Sequence, residues 1–186
     1  NTTCLKNYMS KETPKSYCDY VANLDKNNLH RVYHDKQYGF SIEDDNELFG
    51  RLILEINQAG LSWTTILKKQ NNFRRAFSEF SIQKIAKYDE QNTKRLLNDS
   101  SIIRNRLKVN SVIYNAKIIL LIQKEVGSFS LWLQNNRGKK LEDWVQLFKK
   151  TFKFTGWEIT KEFLISTGYF EGAHIKDCPI YDKINS

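Results

Sequence analysis

The nine residues EINQAGLSW, Glu55 to Trp63, decide how the chain is read. Upstream of them Leu48, Phe49, Leu52, Ile53 and Ile56 recur at helical spacing. At about 100° per residue Glu55 falls at the edge of that apolar stripe, while Leu54 occupies the opposite side. The helix is therefore expected to be buried nearly all round. A carboxylate in such a helix, one turn before a glycine break and a tryptophan, needs a reason. An ion pair with a neighbouring Lys or Arg is the plain structural one.

Helical patterns extend in both directions from this stretch. Asp44, Asp45 and Asn46 can cap the helix that ends near Ala59, and Ser62 can cap the next. In that second helix Ile66, Phe73 and Phe77 face inward while Lys68, Lys69, Arg74 and Arg75 look outward. Ser81 and Asp89 are caps for two short helices, SIQKIAKY and DEQNTKRLLN. A turn at Asp99, Ser100 and Ser101 leads to a longer helix with Val109, Val112, Ile113, Ala116, Ile119 and Leu120 on its apolar positions. Further helices are expected around Leu131–Leu133, Leu141–Phe148 and Glu158–Tyr169. With two prolines, and eight glycines lying almost entirely at the seams of these segments, the expected fold class is all-α. Residues 1–16 are polar, carry Pro14 and read as a mobile lead-in; 17–186 read as a single domain.

A net charge of +8 suits a polyanionic partner such as nucleic acid, and equally suits plain solubility. Three scattered cysteines do not make a disulfide framework, so a reducing, cytoplasmic setting is expected. No apolar run approaches ~18 residues, so no membrane-spanning helix is expected. Nor do the first residues have the apolar core of a signal peptide. Between Lys94 and Lys117, Lys94, Arg95, Arg104, Arg106, Lys108 and Lys117 stand against Asp99 alone. A short helix, a turn and a long helix with bases at the turn form a phosphate-binding unit, through backbone N–H groups and a helix dipole. A solvated helix face would carry the same charges. Cys18 and His34 near one end, and His174 and Cys178 near the other, could close a tetrahedral site. On spacing alone, unrelated histidines and buried thiols account for them more readily.

Several separated signatures resemble the 3-methyladenine DNA glycosylase I family of the helix-hairpin-helix superfamily. YHDKQYG (Tyr33–Gly39) is similar to that family's Tyr-His-Asp-x-x-Trp-Gly, and EINQAGLSWTTILKK (Glu55–Lys69) to its Glu-x-x-Gln-Ala-Gly-Leu-Ser-Trp block. IIRNRLKVNSVIYNA (Ile102–Ala116) resembles its hairpin and second helix. FKFTG (Phe152–Gly156) and the closing His-x-x-x-Cys also correspond. The resemblance runs from about Tyr17 to Cys178. It implies an all-α helix-hairpin-helix glycosylase fold, with the hairpin motif at about 89–125. It also implies a structural Zn2+ on Cys18, His34, His174 and Cys178, joining end segments at about 17–39 and 170–182.

The resemblance further implies hydrolytic release of 3-methyladenine from double-stranded DNA containing alkylated adenine, without strand cleavage, by a monomer. Glu55 is then the carboxylate that reads a cationic base turned out of the duplex, with Tyr33 and Trp63 as stacking walls. Gly60 and Leu61 would fill the gap left in the stack, and Ser101, Arg104, Arg106 and Lys108 would hold phosphates. Tyr20, His30 and Tyr38 fall on base-binding positions where the family carries Trp, Tyr and Trp. The family's Tyr-Ser-Phe-Met-Gln-Ala reads Lys161-Glu162-Phe163-Leu164-Ile165-Ser166 here, and Ser101 replaces the hairpin glycine. His30, Lys161 and Glu162 leave a second reading open, a DNA-binding member with altered specificity or no catalysis.

Overall fold

The structure, a computed structural model, describes residues 14–185. Cys4 and most of the expected lead-in lie outside the described residues. In chain order the helices are α1 (Tyr17–Ala22), α2 (Leu29–Lys36), α3 (Asp45–Gln58) and α4 (Trp63–Ala76). After a 3₁₀ turn at Ser78–Phe80 come α5 (Ile82–Ile85), α6 (Glu90–Asn98), α7 (Arg106–Val126) and α8 (Phe129–Asn135). The chain closes with α9 (Leu141–Thr151), α10 (Trp157–Ser166) and α11 (Tyr181–Asn185). Among the described residues there is no strand, as the all-α expectation requires. No helix is long and apolar enough to cross a membrane.

Helix α3 is the hub. Every residue from Leu48 to Asn57 is buried, because α4, α5, α7, α8 and α10 all pack on it. Its start is set by Asp44, whose side chain accepts from the Glu47 amide at 2.9 Å, with Asp45 and Glu47 suiting the positive end of the dipole. Asp45 also ties α3 to α8, accepting from the amides of Phe129 and Ser130 at 2.8 and 2.9 Å. The helix ends at Gln58, and the chain turns away at Gly60, whose φ of +80° suits a residue without a Cβ. Two residues on, Ser62 caps α4 by accepting from the Thr65 amide. So short a connection forces α3 and α4 side by side.

The helix-hairpin-helix is present as α6, the segment 99–105 and α7. Asp89 and Asn92 form a reciprocal capping box at the start of α6. Asn105 caps α7 by accepting from the Lys108 amide, so the connection is longer than the three-residue turn read from the sequence. Lys69 and Asn72 of α4 donate to the Ser101 carbonyl at 2.9 and 3.3 Å, fixing the hairpin against the hub. The last core helix stops at Ser166 rather than running to Tyr169. Gly168, at φ +75°, turns the chain so closely over Gly39 and Ser41 that a Cβ would lie 3.0 Å from their backbone.

The tightest close approach inside the core is at Gly50 of α3, where a Cβ would meet the Phe80 ring, with Cε2 at 2.8 Å. Phe80 itself is buried beneath the Arg74 guanidinium, 4.8 Å from its centroid, and has little room to retreat. Gly50→Ala is therefore expected to destabilise the fold by about 1–3 kcal/mol despite its better helix propensity. Thermal unfolding checks this, and a midpoint equal to or above wild type would contradict it.

Candidate active site and metal centre

Tyr17, Tyr33, Tyr38, Glu55, Gln58, Trp63 and Glu162 enclose a cavity of about 310 Å³. That lies at the small end of the range for ligand cavities, on the order of 300–1,000 Å³. Its walls are aromatic. The Tyr33 ring lies 5.2 Å from that of Trp63 and 5.7 Å from that of Tyr38, and Tyr17 meets Tyr38 edge-on at 5.3 Å. The chain folds this way because α2 brings Tyr33, the end of α3 brings Glu55 and Gln58, the first turn of α4 brings Trp63, and α10 brings Glu162. A larger hollow of about 580 Å³ beside residues 168–176 has its charges, Arg137, Glu171 and Lys176, exposed to solvent.

Glu55 is only 4% exposed. Among the described residues no Lys, Arg or His lies within ion-pair distance of it. Arg51, one turn back on α3, is the obvious counter-ion, yet its Nη1 donates to the Tyr33 hydroxyl at 2.6 Å and its guanidinium sits 5.0 Å from that ring. Burial pushes the Glu55 carboxyl up from 4.5 to about 8; Glu162 adds to the rise, while Arg51 and the Ser166 hydroxyl oppose it. The same burial raises the Tyr17, Tyr33 and Tyr38 hydroxyls, so the ring walls remain neutral. A concave aromatic site around an acid short of a partner is suited to a cationic, flat ligand.

The other ring residues sit further back. Tyr20 is 41% exposed and stacks on Tyr17 at 6.1 Å. His30 is bonded through Nδ1 to the Tyr17 hydroxyl at 3.0 Å and through Nε2 to Thr64 Oγ1 at 2.7 Å. Burial lowers its pKa, so it is a neutral brace behind Tyr17. Neither is among the residues enclosing the cavity.

Gly60 and Leu61 lie between Gln58 and Trp63 of the cavity wall, both exposed, and the Gln58 side chain donates to the Leu61 carbonyl at 2.9 Å. Arg104 and Arg106 are exposed at the hairpin, Arg106 in a surface pair with Glu90 at 3.0 Å. Ser101 directs its amide to Asp99 at 2.9 Å. Lys108 departs from its expected phosphate role. It is buried, and its Nζ donates to the Asn57 and Ala59 carbonyls at 2.9 and 2.7 Å. Its ammonium satisfies carbonyls at the C-terminal end of α3, where the helix dipole is negative, and is engaged there rather than free at the surface.

The four atoms Cys18 Sγ, His34 Nε2, His174 Nδ1 and Cys178 Sγ lie within 4.8 Å of one another, all on buried residues. Cys18 is 3.4 Å from His34 and 3.6 Å from His174; Cys178 is 3.7 and 3.4 Å from the same two, and the imidazole nitrogens are 3.1 Å apart. A tetrahedral ion bound by two thiolates and two imidazoles has ligand edges of about 3.3–3.8 Å, so the cluster could hold a metal ion. The outer nitrogens support this. His34 Nδ1 meets Asp35 at 2.7 Å and His174 Nε2 meets the Tyr38 carbonyl at 2.8 Å, which turns the lone pair of each ring inward.

A family model for methyladenine glycosylase matches residues 23–146. The chain belongs to the methyladenine glycosylase family. It is similar to DNA-3-methyladenine glycosylase 1 of Escherichia coli K12, at 31% identity over 88% of this chain and 96% of that protein. It is similar also to DNA-3-methyladenine glycosylase of Haemophilus influenzae, at 33% over 87% and 96%. The structure superposes on the Staphylococcus aureus 3-methyladenine DNA glycosylase I solved to explain 3-methyladenine recognition. That match has a TM-score of 0.74 and 33% identity, covering 83% of this chain and 92% of that one.

Within this member of the methyladenine glycosylase family, the sequence reading gives no site role to three residues, Tyr17, Arg51 and Gln58. Tyr17 adjoins the first cysteine, and Arg51 precedes Glu55 by one helical turn; either position was visible, but no periodicity separates a cavity wall from a core. Gln58 stood inside the EINQAGLSW block without a role. Glu162 stands in the sequence as a departure at the rim of the expected pocket, and the structure has it lining the cavity with Glu55, which depends on how α10 crosses α3.

The rise of Glu55 makes a pH prediction. Its folded-state pKa lies above the unfolded value, so the native protein holds a proton that the unfolded chain releases, and stability falls as pH rises from about 4.5 to about 8. Glu55→Gln removes this term. Its stability relative to wild type is expected to increase between pH 5 and pH 8 in denaturant titrations; parallel profiles would contradict the burial argument.

Proposed function

We propose that the protein excises N3-methylated adenine from double-stranded DNA by hydrolysing the N-glycosidic bond, leaving an abasic site and an intact strand. The observation that carries this reading is Glu55, buried without a counter-ion inside an aromatic cavity whose wall continues into the exposed Gly60–Leu61 turn. N3-methylation gives adenine a positive charge and weakens its bond to the sugar. Such a base needs recognition more than it needs protonation as a leaving group.

The damaged nucleotide is turned out of the duplex into the cavity, and Leu61 enters the vacated stack while Gly60 lets backbone approach closely. Tyr33, Trp63 and Tyr38 face the flat cation, whose charge restores the ionised form of Glu55. Glu55 then accepts from the amine edge of the base and balances positive charge as the bond to the sugar breaks. Water completes the hydrolysis. Arg104 and Arg106, with the Ser101 turn and the N-terminus of α7, hold phosphates beside the lesion. The metal is a structural Zn2+: two thiolates and two imidazoles complete a closed tetrahedron with no open position for substrate.

Methylated duplex DNA incubated with the protein is expected to release 3-methyladenine well above the spontaneous rate, as followed by chromatography of free bases. Glu55→Gln should remain folded and lose about 10²-fold or more in excision. Duplex binding without base release would reduce the protein to a non-catalytic member of its family. Elemental analysis of protein prepared without chelators is expected to give one zinc per chain. Cys178→Ser should lose that zinc and several degrees of thermal stability; full zinc occupancy in this variant would remove Cys178 from the ligand set.

A further inference from the structure

The cavity holds a second carboxylate. Glu162 on α10 lines the same space as Glu55 on α3. Among the described residues, neither Lys161 nor any other cation closes an ion pair on it. The groups that act on it are the charges of Lys161 and Glu158 and the hydroxyl of Tyr38, which lines the same cavity. The two acids reach the cavity from different helices, with Tyr38 between them electrostatically: both carboxylates act on its hydroxyl.

We propose that Glu162 is a specificity-determining residue of this cavity, a second carboxylate that favours a cationic purine bearing an exocyclic amine over one bearing a carbonyl at the same ring position. This rests on the glycosylase reading above and concerns the same site. A methylated adenine offers two N–H donors on its amine together with a positive ring; two carboxylates match both properties. A methylated guanine can carry the same ring charge, but its carbonyl oxygen would face carboxylate oxygens, and the repulsion offsets the attraction for the ring. A hydroxyl or amide in place of the Glu162 carboxylate would offer that carbonyl a donor instead. Desolvation and the Glu158 charge raise Glu162, so it too ionises most readily when a cation enters.

The test uses duplex DNA methylated to contain 3-methyladenine and 7-methylguanine together, with release of each base quantified from one reaction. Glu162→Gln and Glu162→Ser are expected to lose roughly tenfold in kcat/KM for 3-methyladenine and to narrow the preference for it over 7-methylguanine by a similar factor. A fluorescence titration of Trp63 with free 3-methyladenine should show a matching rise in Kd in both variants, independently of turnover. Unchanged selectivity and unchanged Kd in correctly folded variants would overturn the role of Glu162 while leaving the glycosylase reading intact. Absence of 3-methyladenine release by the wild-type protein would overturn both.

Discussion

A carboxylate buried in a helical core and lacking an ion pair is held at the expense of stability, and the rest of the site is arranged around that condition. Glu55 is buried because α3 is packed on nearly every side. Its natural counter-ion, Arg51, is diverted to the Tyr33 hydroxyl. What remains is an acid whose charged form burial disfavours.

The metal cluster and the cavity are mechanically one unit. Cys18 follows Tyr17, His34 follows Tyr33, and His174 donates through Nε2 to the carbonyl of Tyr38. Each cavity tyrosine is therefore one residue or one hydrogen bond from a ligand. A tetrahedral ion at these four atoms would fix three ring walls as well as joining two distant chain segments. Four protein donors around such an ion would leave no open position, so its influence would be positional rather than chemical.

Lys108 illustrates a similar economy between helices. As the third residue of α7 it was expected to face phosphate, yet its ammonium closes the carbonyl end of α3 directly before Gly60. That bond couples the hairpin to the turn carrying Leu61. Lys69 and Asn72, anchoring the Ser101 carbonyl from α4, complete the link. The turn at Gly60–Leu61 and the hairpin are thus braced against one another, with Arg104 and Arg106 exposed beside them.

Helix type and most helix starts were legible in the chain because caps and apolar periodicity are local: Asp44, Ser62, Ser81 and Asp89 all cap where their sequence context places them. The EINQAGLSW block also announced a buried acid beside an aromatic ring and a left-handed glycine. Distances between helices are not local. Nothing near Lys108 in sequence says that its charge turns inward, nothing near His30 says that it braces Tyr17 and Thr64, and nothing near Glu162 says that α10 brings it against Glu55. Those facts follow from how amphipathic cylinders cross, which depends on the whole core. The sequence by itself therefore determined which segments coil and which residues have the right chemistry; the tertiary packing decided which of them share one cavity, because burial and charge proximity exist only after the helices have met.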